Sequence, residues 1–323
     1  NIVQNNKDNP TPQQMQQDWL GTIKLSGEAA VQQPRPDLLA WPESTPPGSI
    51  DPDSRGVNQR FNDFHEQIAQ TARSNQLNLL IGAIARLNWQ ANEVGELRPH
   101  RKYNSVFFYD RSGRQSATRY DKIHRVPFGE YLPWIETFPG LKKWFIKYLT
   151  PYDYDYTIHA GGSIRLFGIP ITVDGQRTDV RIATPICFED TVGRLCRRMV
   201  YEKGRKRADM ILNLTNDGWF AGSAQPIQHF QIAVYRSIEN RVPTARCVNT
   251  GISGMIDSVG RVGPQIQQDV DGYVAAALKL DLRHTLYGRF GHLPMFLLIA
   301  AATSLVFLVP FGRVKLKNPV ALH

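Results

Sequence analysis

The sequence predicts an α/β layered domain with mixed sheets, followed by a hydrophobic segment of different character. Three observations predict it. Short apolar runs alternate with segments of helical periodicity over residues 1–290, turn-rich stretches pair some of those runs as hairpins, and one uncharged run of 19 residues follows as the last element.

The elements follow in order. Residues 1–6 (NIVQNN) resemble a cut strand end, which suggests a fragment of a longer protein. Residues 37–43 (DLLAWPE) form a short apolar strand ending in a carboxylate. Phe61, Phe64, Ile68 and Ala72 recur at three- and four-residue spacing and predict an amphipathic helix. Residues 77–87 (LNLLIGAIARL) predict a buried strand, and residues 105–109 and 117–120 flank the turn-forming DRSG of a hairpin. A second hairpin turns at Asp174-Gly175 and leads into the strand VRIATPIC, residues 180–187. The basic run 194–207 predicts a helix with Leu195 and Met199 on its inner side. Another strand, 209–216, precedes a helix with Phe230, Val234 and Ile238 on one side; residues 244–249 and 254–258 complete the series.

Residues 293–311 (LPMFLLIAAATSLVFLVPF) carry no charge and are apolar on every face. A helix of that length spans about 28 Å, close to the roughly 30 Å hydrocarbon core of a bilayer. The competing reading is a buried core helix. All-round apolarity, the terminal position and the following Arg313, Lys315 and Lys317 favour a membrane span. The expected division is therefore a catalytic domain over 1–290, a transmembrane helix over 291–312 and a basic cytoplasmic tail over 313–323, with the domain on the opposite side of the membrane.

Net charge is +9, from 38 Lys and Arg against 29 Asp and Glu. No zinc spacing, RNP-like strand or basic tail of the nucleic-acid type accompanies it, so no nucleic-acid partner is expected. The three cysteines, Cys187, Cys196 and Cys247, form neither a CxxC pair nor a Cys/His cluster; structural zinc and a disulfide framework are not expected.

Cys187 ends an apolar strand, where backbone N–H groups and a helix N-terminus would favour the thiolate. Free cysteines are more often small buried hydrophobes. Glu43 also ends a strand, however, and Lys122 follows another, and such strand ends converge on one edge of an α/β sheet. A desolvated carboxylate suits the role of base, and Lys122 with the Phe188 N–H suits a developing oxyanion. His124 offers a Cys–His alternative, disfavoured because the Lys122 charge two residues away opposes an imidazolium.

The motifs WPES (41–44), RYDKIHRVPFGEYLP (119–133), ICFED (186–190) and NDGWF (216–220) resemble the carbon–nitrogen hydrolase (nitrilase) superfamily. Within it they are most similar to the inner-membrane branch that N-acylates bacterial lipoproteins. The resemblance extends to TLYGRFG at 285–291 and the final hydrophobic segment. It implies an αββα sandwich and a Glu–Lys–Cys triad, with Glu43 as base, Lys122 stabilising the oxyanion and Cys187 as nucleophile. It further implies that Glu130 is a second essential glutamate orienting the lysine and thiol, and that Glu189 is the acidic residue two past the cysteine. The implied partners are a phospholipid acyl donor and a diacylglyceryl-apolipoprotein acceptor, with no cofactor. The implied location is the bacterial inner membrane, with the catalytic domain on the periplasmic side. Two departures stand out. Phe188 replaces the family's usual tyrosine, and the membrane helices that precede the domain in the family lie outside this sequence. A soluble-type amidase with the same triad is the enzyme alternative, and a membrane-anchored binding module on an inactive hydrolase fold is the other.

Overall fold

The computed structural model of the chain describes residues 11–150, 154–173, 176–220 and 222–308. The expectations for residues 1–6, for the turn at Asp174-Gly175 and for the basic tail fall outside those residues. The first element, α1 (Pro12–Ala30), starts from a reciprocal cap: the Thr11 hydroxyl accepts from the Gln14 N–H, and the Gln14 amide oxygen accepts from the Thr11 N–H. The sequence reading missed this helix. Its inward face mixes Trp19 with Thr22 and Ser26, so the apolar period is faint.

A four-stranded sheet follows. Strand β1 (Leu38–Trp41) leads through α2 (Pro52–Arg55) and α3 (Gln59–Asn75) to β2 (Asn78–Ala91), β3 (Leu97–Tyr109) and β4 (Gln115–Asp121). Strands β1 and β2 pair in parallel, while β2–β3–β4 is an antiparallel meander. The strand expected over 77–87 continues four residues further, and the charged segment 97–102 pairs with it. That outer ribbon is largely exposed, which is why its sequence lacks a strand's apolar run.

The helix α4 (Pro139–Leu149) connects to a six-stranded sheet containing β5 (Leu166–Val173) and β6 (Gln176–Ala183). After α5 (Gly193–Val200) a small hairpin intervenes, β7 (Tyr201–Glu202) with β8 (Arg205–Lys206). Strand β9 (Met210–Asn216), helix α6 (Gln225–Asn240), and strands β10 (Thr244–Asn249), β11 (Ser253–Ile256) and β12 (Val262–Ile266) complete the sheet in the order β12-β11-β10-β9-β6-β5. The basic run 194–207 is thus corrected. Only its first part is helical, with Leu195 and Met199 buried as expected, and the Lys203-Gly204 turn, both residues at positive φ, ends it as a hairpin.

The two sheets face each other. Leu80, Val106 and Tyr120 of the first pack with Phe167, Ile169, Ile182, Leu212 and Leu214 of the second. Because successive strand residues point to opposite faces, Leu79, Ile81 and Ala83 turn instead toward α1 and α3, against Trp19, Phe64 and Ile68. Helices α5 and α6 cover the outer face of the second sheet, where Phe230 and Ala233 meet Ile256. The layering is αββα.

The chain then runs through α7 (Leu286–Phe290) into α8 (Leu293–Leu308). Sixteen residues of α8 are described, roughly 24 Å of helix, and the end of the expected span, residues 309–312, lies outside the described residues. No described helix is long and apolar enough to cross a membrane. Phe296, Leu297, Leu298 and Ile299 are each more than half exposed, so no face of α8 is buried on the domain.

Candidate active site

Five strand ends define one edge of the sandwich. Glu43 follows β1, Lys122 follows β4, Cys187 follows β6, Asp217 follows β9 and Asn249 ends β10. Glu43 is 6% exposed and enters the edge because residue 82 of β2 is glycine: a Cβ there would lie 2.5 Å from the Pro42 carbonyl and 2.6 Å from the Glu43 Cα. The Glu43 carbonyl accepts from Asn249, and its Oε1 accepts from Asn104 Nδ2 at 2.5 Å. The same amide nitrogen lies 3.4 Å from Glu130 Oε1. Asn104 thereby ties the two carboxylates together, a role the sequence reading did not see.

Lys122 is fully buried, and its Nζ lies 2.7 Å from Glu130 Oε1. Burial alone pulls a lysine down, but Cys187 once ionised, with the Glu130 and Glu43 carboxylates, outweighs it and holds Lys122 above its ordinary range, as a firm cation. The Pro127-Phe128-Gly129 turn sets the Lys122–Glu130 geometry. Phe128 takes a left-handed φ of 61°, Glu130 donates its N–H to Val126, and Val126 donates back to Glu130 Oε2 at 2.8 Å.

Cys187 opens a short 3-10 turn, Cys187–Thr191, and its own φ is 49°. A non-glycine residue stays in that region only where the surroundings over-determine it. Glu189 supplies much of that constraint. Buried completely, it accepts from the Tyr120 hydroxyl and from the Ile123, His124 and Ile186 N–H groups at 2.8–2.9 Å, fastening the Lys122 loop to the Cys187 turn. On the far side Asn213 donates to the Cys187 carbonyl at 3.2 Å.

Burial opposes the thiolate that the strand-to-helix junction favours. Cys187 keeps part of its surface open, yet burial, with the Glu43 carboxylate next, pushes its thiol up to about 12; Lys122 opposes this, Asp217 adds to it and the Thr215 hydroxyl opposes it. A five-residue 3-10 turn offers too little helix dipole to reverse that balance. The thiol is protonated at neutral pH, and the Glu43 carboxylate is the charged group that acts on it most strongly.

His124 is exposed, and its ring stacks on Phe188 at 6.0 Å between centroids and 20° between planes. Its backbone N–H serves Glu189. Phe188 is 38% exposed beside the thiol. Among the described residues no group of three or more His, Cys, Asp or Glu side chains is arranged to hold a metal.

The sequence reading also missed a buried ring of charges behind Cys187: Asp190, Asp217, His229 and Arg246. Asp190 and Asp217 were in view within ICFED and NDGWF, but nothing local marks His229 or Arg246, which arrive from α6 and β10.

The αββα sandwich brings a cysteine, a buried lysine and two carboxylates to one sheet edge, the arrangement of a nitrilase-like α/β fold. The chain belongs to the carbon–nitrogen hydrolase family, whose model matches residues 2–286. More particularly, it is 32% identical to an apolipoprotein N-acyltransferase of Rhodopseudomonas palustris, over 84% of this chain and 45% of that protein. It is 31% identical to one of Geobacter metallireducens, over 97% of this chain and 53% of that protein. The chain spans about half the length of these relatives. Among solved structures, a carbon–nitrogen hydrolase from Helicobacter pylori superposes with a TM-score of 0.52 at 14% identity, covering 79% of this chain and 82% of that one. An amidase from Nesterenkonia sp. covers 79% and 81% with a TM-score of 0.50 at 13% identity. These two likenesses bear on the fold.

Proposed function

We propose that the chain is the catalytic part of an apolipoprotein N-acyltransferase, and the observation that carries this is the mutual placement of Cys187, Lys122 and Glu43 at one buried edge. Glu43 accepts the thiol proton as Cys187 Sγ attacks the ester carbonyl of a phospholipid. Lys122 and the Phe188 N–H hold the negative charge that develops on the carbonyl oxygen. The intermediate collapses to a thioester, and the departing lysophospholipid alkoxide takes the proton from Glu43. The α-amine of a diacylglyceryl-cysteine then attacks the thioester, Glu43 takes the amine proton, and the Cys187 thiolate leaves and is reprotonated. Splitting the exchange into two acyl transfers gives each step a good leaving group or a good nucleophile. Glu130 holds Lys122, and Glu189 holds the two loops in register.

Residues 1–290 form the catalytic domain in this reading, 291–312 the membrane helix and 313–323 the cytoplasmic tail. The domain lies on the periplasmic side of the bacterial inner membrane. The test is sequential. Incubation with phospholipid vesicles should add one acyl mass to the chain, removable by hydroxylamine, and a diacylglyceryl-cysteine peptide should then take up that acyl group as an amide. Release of free fatty acid with no transfer to the peptide would make the chain a hydrolase instead.

Entry of the acyl chain is assigned to the segment around α4. Trp134 is 85% exposed, Phe138, Trp144 and Tyr148 are exposed with it, and Ile146 alone is buried. Lys142 anchors the helix through Asp155 and Thr157. Aromatic groups at that density suit the head-group level of a bilayer. Trp134→Ser with Trp144→Ser should lower turnover of vesicle phospholipid at least several-fold more than turnover of a short-chain soluble ester. Equal losses on both would assign the segment to structure only.

A further inference from the structure

The ring behind Cys187 is closed and almost wholly buried. His229 Nδ1 lies 2.8 Å from Asp217 Oδ1, and its Nε2 lies 2.7 Å from Asp190 Oδ1. Arg246 reaches the other oxygen of each carboxylate, Asp190 Oδ2 at 2.8 Å and Asp217 Oδ2 at 3.4 Å. All four side chains are at most 2% exposed. A neutral imidazole has one N–H, so one of its two short contacts would set a lone pair against a carboxylate oxygen. Two ring nitrogens facing two ionised acceptors require two N–H donors, an imidazolium. With His229 protonated the ring holds two positive and two negative charges and is neutral. Burial works against that cation and the Arg246 charge adds to the opposition, but the Asp190 charge and the hydrogen bonds to both carboxylates overcome them, raising His229 to about 9.

The ring's place in the fold gives it a consequence. Asp190 belongs to the Cys187 turn, and Asp217 begins the 3-10 turn that follows β9. Asp217 is close enough to the thiol to push its pKa up. We infer that His229 is a positioning residue of the acyl-transfer reaction, a buried imidazolium that fixes the Cys187 turn against the Asp217 turn and cancels the carboxylate charge standing behind the nucleophile. The inference rests on the reading of Cys187 as nucleophile, and it adds a group that the Glu–Lys–Cys arrangement leaves out. The groups facing His229 are Asp190, Asp217 and Arg246 from the other elements, with Gln225 from its own helix at 3.5 Å. Those acting on the thiol are Glu43, Lys122, Asp217 and Thr215.

The test reads Cys187 itself, without a lipid. Its alkylation by iodoacetamide at pH 8, located by peptide mapping, is proportional to the small thiolate fraction. His229→Gln leaves the ring with one net negative charge and should slow alkylation about tenfold; Asp217→Asn leaves one net positive charge and should speed it by a similar factor. The double variant restores neutrality and should return toward the wild-type rate. A merely structural ring would give changes of the same sign in both single variants and a larger change in the double, and that result would overturn the proposal. Should His229→Gln fail to fold, the unaltered chain decides. With labelled histidine, one imidazolium carrying both N–H protons should persist at pH 8, and a spectrum with none overturns the proposal. A wild-type Cys187 inert to alkylation while that imidazolium persists would count against the nucleophile reading and leave the charge state of the ring standing.

Discussion

A Cys187→Ala chain incubated with phospholipid vesicles is expected to show no acyl adduct at all, whereas the wild-type chain gains one that hydroxylamine removes. The expectation is absolute because no other thiol can substitute. Cys196 is completely buried, its thiol pushed well above the ordinary range by burial and by Asp190, and it donates toward the Glu189 carbonyl. Cys247 lies within β10 and donates to the Ala40 carbonyl inside the sandwich. Cys196→Ala and Cys247→Ala should therefore keep the adduct, apart from the cost of a small cavity. A hydroxylamine-labile adduct on the Cys187→Ala chain would remove Cys187 from the mechanism.

The second large effect is expected at Lys122. Lys122→Met keeps the length of the side chain and removes the charge, so acylation of Cys187 should slow by about 10²-fold or more. Two causes act in the same direction. The oxyanion loses its cation, and the thiol loses the group that counters burial and Glu43. The substitution also leaves Glu130 without its partner, a change that typically destabilises by about 3–5 kcal/mol where a buried pair is broken. Melting curves must accompany the rates, and Lys122→Met with Glu130→Gln separates the effects: it should recover stability and leave acylation slow. His124→Ala is the control, and it should cost little beyond the ring contact with Phe188. A larger loss of acylation at His124 than at Lys122 would revive a Cys–His mechanism.

The sandwich was legible where its elements bury a face. The apolar run of β2 and the spacing of Phe64, Ile68 and Ala72 in α3 carry the alternation and the helical period that burial imposes. Elements that bury little were not. Helix α1 turns Thr22 and Ser26 inward, and the outer part of β3 holds its place by pairing with β2 rather than by apolar contact. The basic run ending α5 misled because charge shows solvent exposure and does not distinguish an exposed helix from an exposed hairpin. The Lys203-Gly204 pair was the available turn signal.

The sequence by itself determined the alternation of strands and helices, the order Glu43, Lys122, Cys187 along separate motifs, and the apolar, charge-free character of the last segment. Each is a property of neighbours in the chain, where spacing and composition act directly. Tertiary structure alone decided the charge states. Whether Cys187 rests as thiol or thiolate depends on burial and on Glu43, 144 residues away in the chain (187 − 43), balanced against Lys122. Coulomb energies and desolvation follow distance in space, so no reading of the Cys187 segment could have set the sign. The same holds for His229. It looks like one polar residue on the inner face of a helix until Asp190 and Asp217 arrive from two separate turns and favour its cation against burial and Arg246.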